Sequence, residues 1–176
     1  MHGIPNDRAI PPGDLVNVER LRGDGRLFRR HRASFAVPPV ARKVERLCRD
    51  GRREMWAGLR EVGAGEPLAS IGRAVGAFAR KNGYTLVRNL ARHGVGRPLH
   101  EQPTEIATWP NASECRVMEN GLVLTVEPFL SVGAEFAEEG HDPWTLYGRP
   151  GAFTVQYEHT VVATRNGLLV VTLAWQ

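Results

Sequence analysis

Three β-rich runs close the sequence, and they limit what the rest of the chain can pack against. Leu122 to Leu130, Phe153 to Ala163 and Leu168 to Ala174 are separated by Gly, Pro and Asn turns. Arg165-Asn166-Gly167, between the last two, is a hairpin signal. Upstream, the apolar residues Val44, Leu47, Met55 and Leu59 recur at roughly helical spacing from Val40 to Val62, with Gly51 as the weak point. Gly63 to Glu66 reads as a turn, and Pro67 suits the first turn of a second helix, Leu68 to Arg80, closed by Asn82-Gly83. Leu15 to Glu19 is a short strand ahead of a Gly/Asp turn. Helices in the middle and strands towards the end predict an α+β class. With 176 residues there is enough chain for one domain, 1–176, with a real core.

No apolar run approaches the ~18–20 residues needed to span a membrane. No basic n-region followed by an apolar h-region opens the chain. Cys48 and Cys115 lack metal or redox spacing, which fits a reducing compartment, so a soluble cytoplasmic protein without a membrane partner is expected. The net charge of +4 raises nucleic acid as a partner, but the arginines are unevenly placed. Between Arg42 and Arg60, Glu45, Asp50 and Glu54 interleave with them, the pattern of a solvated helix face. Arg26 to Arg32 contains no acid to balance it. No aromatic interleaving or known motif supports nucleic-acid binding.

Glu127 sits inside the apolar run Leu-Thr-Val-Glu-Pro-Phe, and Glu158 inside Gln-Tyr-Glu-His-Thr-Val-Val. A carboxylate buried in a sheet is costly unless paired or bound to a cation. His93 precedes Gly94-Val95-Gly96, in a turn expected to present its side chain openly. Two Glu and a His suit divalent Mn, Fe, Co or Zn. Taken singly, each has a bland reading: a strand-edge Glu facing solvent, or an ordinary loop histidine, as for His100 and His159.

Five blocks in order change those odds. They are His2-Gly3-Ile4-Pro5 followed by Gly13-Asp14-Leu15-Val16-Asn17-Val18; His93-Gly94-Val95-Gly96 with His100-Glu101-Gln102-Pro103; Leu124-Thr125-Val126-Glu127-Pro128; Asp142-Pro143-Trp144-Thr145; and Gln156-Tyr157-Glu158-His159-Thr160. Together they resemble the type I methionine aminopeptidases from the first residues to about residue 160. The first and fourth blocks favour that branch over creatinase or prolidase relatives. The resemblance implies a pita-bread fold whose N-terminal half lacks its first part here, with two divalent ions (Co, Mn, Fe or Zn). It implies that His93 and Glu127 ligate one metal and Glu158 bridges both. A metal-held water would attack the carbonyl after the N-terminal Met of a nascent polypeptide. His100 would stabilise the tetrahedral intermediate, His2 would touch the substrate or the leaving amine, and Trp144 would support the site. A ribosome-proximal, cytoplasmic monomer is implied too.

Two ligand positions depart from the pattern. Glu19 stands where the family has a first aspartate, keeping the charge and adding one methylene, so it stays in the expected metal set. The bridging aspartate belongs eleven residues on, where Arg30 stands; counting from Asp24-Gly25 reaches Arg29 instead. An arginine there removes oxygen contacts and adds a permanent positive charge. Three readings follow: an active lineage member whose Arg26–Arg32 segment is corrupted, as by a compensated frameshift; a degenerate relative with an impaired centre; or a catalytically dead binding module for a polyanion or protein partner.

Overall fold

The computed structural model describes residues 7–23, 27–90, 92–142 and 144–173. β1 (Leu15–Gly23) and β2 (Phe28–Ala36) form an antiparallel pair in unbroken register, from Leu15 opposite Ala36 to Gly23 opposite Phe28. The expected Leu15 to Glu19 strand therefore runs four residues further. Two helices follow, α1 (Arg42–Leu59) and α2 (Ala69–Asn82). The remaining elements are β3 (Thr85–Leu86), β4 (Arg92–Gly94), β5 (Glu101–Ile106), β6 (Val123–Val126), β7 (Phe129–Ser131), β8 (Glu138–Glu139), β9 (Leu146–Tyr147), β10 (Thr154–Gln156), β11 (Glu158–Thr164) and β12 (Gly167–Val170). The α+β expectation holds.

The main sheet has the order β1-β2-β11-β6-β4-β5, with β12 alongside the far end of β11. A second sheet, β10-β7-β3, packs against α1, and β8-β9 is a separate ribbon. The long apolar runs break where a chemically special residue sits: β6 ends before Glu127-Pro128, and β10 gives way to β11 at Tyr157. Proline cannot continue the ladder, which accounts for the first break. The β11–β12 hairpin closes through Arg165 and Asn166, with Gly167 at φ 97°.

Leu47, Met55 and Leu59 of α1 and Ile71 and Val75 of α2 meet Leu124, Val126, Leu130, Val155 and Val161 in one core. Full burial of each such side chain stabilises by roughly 1.5–3 kcal/mol. Gly51 is no weak point of α1. It is a point of close approach between helix and sheet, and a Cβ there would lie 2.6 Å from Val155 Cγ2. The helix face expected to be solvated is only partly so, because Asp50 and Glu54 are buried. Gly83, at φ 76°, closes α2 near the expected point, donating its N–H to the Ala79 and Arg80 carbonyls.

Candidate metal centre

Strand pairing places three charged residues in one row across the sheet. Arg32 on β2 lies opposite Glu19 on β1 and opposite Glu158 on β11. Side chains alternate along a strand, so Arg30 and Ser34 share the face that Arg32 occupies. The same face receives His93 from β4 and Glu127 from just beyond β6. The structure thus brings together four of the residues expected as metal donors, Glu19, His93, Glu127 and Glu158. His2 and the Asp24-Gly25 pair lie outside the described residues.

At the centre of the four stands the Arg30 guanidinium. Its Nε donates to Glu19 Oε1 at 2.8 Å, and Nη2 donates to the same oxygen. Its Nη1 lies 2.6 Å from His93 Nε2 and 3.9 Å from Glu127 Oε1, while Nε is 3.6 Å from Glu158 Oε1. Arginine has no acceptor, so His93 Nε2 receives the bond. His93 Nδ1 sits 2.7 Å from the Gly94 carbonyl, which requires the proton there. The imidazole is therefore neutral with its Nε2 lone pair aimed inward, as a metal ligand needs, and Arg30 occupies that lone pair.

Arg32 completes the arrangement. It donates to the second Glu19 oxygen and to Gln156 Oε1, and its Nε is 3.6 Å from Glu158 Oε2. Gln156 Nε2 donates in turn to Glu127 Oε2 at 2.8 Å, and Thr125 Oγ1 donates to Glu127 Oε1 at 3.0 Å. The Thr160 hydroxyl clamps the Arg30 backbone, accepting from its N–H at 2.8 Å and donating to its carbonyl at 2.9 Å. Burial alone would lower the Arg30 pKa, but the charges of Glu158, Glu127 and Glu19 outweigh it and hold the pKa raised. For Glu158, burial and then the Glu127 charge push the carboxyl well above its ordinary range, against the opposing pull of Arg30 and Arg32. Neither Glu158 oxygen has a hydrogen-bond partner among the described residues.

His93 does not sit in an open turn; it is buried at 7% exposure within β4. Gly94 permits this, since a Cβ there would collide with the Gln102 carbonyl on β5. His100 is exposed, its ring 4.1 Å from that of His93, on the solvent side of the cluster. Trp144 is half exposed, and Asp142 Oδ1 accepts the N–H groups of Trp144 and Thr145 to shape its turn. His159 points to the opposite face, where its ring lies 4.9 Å from that of His31. Arg32, Thr125, Gln156 and Thr160 were not among the residues expected from sequence. The period-two alternation of β2 that carries Arg30 inward carries Arg32 with it, and that signal was present.

As they stand, these residues do not fit a metal pair. The donor chemistry is right for hard or borderline dications, but guanidinium N–H groups hold the Glu19 and His93 lone pairs, Gln156 and Thr125 bond Glu127, and two guanidiniums lie at ion-pair distance from Glu158. Among the described residues no three His, Cys, Asp or Glu side chains are arranged to hold a metal.

The sequence matches the model of metallopeptidase family M24 over residues 1–165. It is 35% identical over 175 residues to a methionine aminopeptidase of Staphylococcus epidermidis, covering 97% of this chain and 68% of that protein. It is 32% identical over 173 residues to one of Escherichia coli K12, covering 98% and 65%. Among solved structures, the methionine aminopeptidase of Rickettsia prowazekii matches with a TM-score of 0.91 at 32% identity, covering 98% of this chain and 69% of that one. The prolidase of Pyrococcus horikoshii, at 21% identity and a TM-score of 0.74 over 97% and 43% of the two chains, shares the fold alone. The chain spans about two thirds of the length of these aminopeptidases.

Proposed function

The chain belongs to metallopeptidase family M24, among its methionine aminopeptidases, and from that membership we propose that its function is removal of the N-terminal methionine from polypeptides, on a centre that Arg30 impairs. The fold is the expected pita-bread fold. The observation that carries the reading is the convergence of Glu19, His93, Glu127 and Glu158 on one point beside His100. We assign the four as metal-donor positions for up to two divalent ions of the Co, Mn, Fe or Zn type, and His100, with His2, to the substrate side. A divalent metal held by these donors would supply the polarising charge and activate a water, once Arg30 no longer occupies them. Here Gln156 and Thr125 orient Glu127, the Gly94 carbonyl fixes the His93 tautomer, and the exposed His100 can donate to a substrate carbonyl. Nascent chains in the cytoplasm, near the ribosome and met by a monomer, fit this substrate. Among the described residues no helix is long and apolar enough to cross a membrane. Among the described residues of the Arg26–Arg32 patch, Arg30 and Arg32 face carboxylates rather than solvent, which weighs against the polyanion-binding alternative.

The test is release of methionine from a Met-Gly-type peptide with Mn²⁺ or Co²⁺, comparing the wild type with Arg30→Asp/Arg32→Ser. The double variant is expected to release methionine and the wild type to be far slower. A folded, metal-loaded double variant that releases none would count against the function itself.

A further inference from the structure

We propose that Arg30 and Arg32 form a built-in cation pair that stands in for divalent ions, so that this chain holds its donor residues together without metal. The proposal rests on the aminopeptidase reading only for where ions would be expected. Its first support is that the two departures from the family pattern meet each other. Glu19, longer by one methylene than the aspartate it replaces, places one oxygen on Arg30 and the other on Arg32. A shorter side chain in the same row would have less reach to bridge both guanidiniums.

The second support is coordination. Arg30 reaches the carboxylate of Glu19 and the inward lone pair of His93, and lies within ion-pair distance of Glu127 and Glu158. These are all four expected metal donors, gathered around one side chain. A guanidinium offers five N–H donors in a rigid planar fork and does not lose its proton in proteins. It is a cation that the fold carries permanently, and Arg32 adds a second on the Glu158 side.

Charge is the third support. Glu19, Glu127 and Glu158 bring at most three negative charges, the two guanidiniums bring two positive ones, and His93 is neutral by its tautomer. The sum is no lower than one negative charge. One dication would turn the cluster positive, and two would leave it strongly so, in a region where Arg30, Arg32, Glu127 and Glu158 are all almost fully buried. Such an excess is heavily penalised away from water. Metal therefore has to displace Arg30 outright rather than bind beside it.

The test uses the full chain and MnCl₂ or ZnCl₂ alone, with bound metal counted by equilibrium dialysis and elemental analysis and with Tm as a second readout. For a chain of this size, a metal present at roughly a hundred times its Kd raises Tm by about 5–10 °C. The wild type is expected to retain no stoichiometric metal, and neither Mn²⁺ nor EDTA should move its Tm. Arg30→Asp/Arg32→Ser is expected to gain saturable Mn²⁺ binding and a Tm rise of that order. Should that variant not fold, Arg30→Met, which keeps an apolar stem and removes the guanidinium, decides: its Tm should fall, and Mn²⁺ should recover part of the loss. Wild-type uptake of one or two Mn²⁺ with a matching Tm rise would overturn the proposal, as would an Arg30→Met chain as stable as the wild type. Either result leaves the aminopeptidase reading standing. Failure of a metal-loaded double variant to release methionine counts against that reading and leaves this one intact.

Discussion

Glu54 and Asp50 are two acids on one helix, both buried, with opposite fates. Asp50 receives the Tyr84 hydroxyl at 3.0 Å and is flanked by Arg46, Arg49 and Arg53. Glu54 is fully buried, and neither of its oxygens has a hydrogen-bond partner among the described residues. Burial pushes its carboxyl well above the ordinary range. A folded-state pKa above the unfolded value means the native state holds its proton more tightly. That contribution to stability is complete below the unfolded pKa, about 4.3, and is lost as pH rises through the folded pKa. Glu54→Met is therefore expected to stabilise the chain by about 1–3 kcal/mol at neutral pH, with a smaller gain at pH 4; urea midpoints at both pH values measure it. The sequence held a partial signal for this position. Glu54 falls seven residues after Leu47 and three after Gly51, on the stripe that faces the core, but interleaved arginines made the whole face look solvated. Composition along a helix does not say which acid lies inside; the angular position does.

At the scale of elements, α1 lies against the β10–β11 corner closely enough for one added methyl to probe the contact. Gly51→Ala would gain about 0.5–1 kcal/mol of helix propensity. The added methyl would meet Val155 at 2.6 Å and the Tyr157 ring at 3.0 Å, and overpacking of that kind costs about 1–3 kcal/mol. The second effect wins, so the variant is expected to lose about 0.5–2 kcal/mol in chemical denaturation. The sequence made most element types legible, because β-branched runs and helical periodicity are local properties. It left hidden what depends on neighbours. His93 looked like a turn residue because glycines follow it, yet Gly94 serves to let β5 approach β4 and so encloses the histidine in a strand. Glu127 and Tyr157 looked continuous with their runs, but each marks the point where one sheet hands over to another.

For the molecule as a whole, the arginine-centred cluster ties β1, β2, β4, β11 and the segment after β6 into one unit. Removing one partner from a buried ion cluster costs about 3–5 kcal/mol because the remaining charges are left unanswered. Arg30→Ala is expected to lose that much in denaturant titration. Arg88→Ala, which breaks the half-exposed Arg88–Glu135 pair, should lose no more than about 1 kcal/mol. That Glu19, His93, Glu127, Glu158 and Arg30 meet was foreshadowed in sequence, because the five blocks set their spacing. Arg32 follows from Arg30 by strand alternation, but Gln156 was not readable, since its role exists only once the end of β10 lies beside β2 and the segment after β6. The divided Glu19 carboxylate has a consequence for how such a centre can change over generations. With one oxygen on each guanidinium, it makes positions 19, 30 and 32 a single character rather than three. Changing any one of them strands the charges of the others, so a route through sequence space between a metal-held and an arginine-held centre crosses intermediates less stable than either end. The present state is a ratchet, left most easily by simultaneous change.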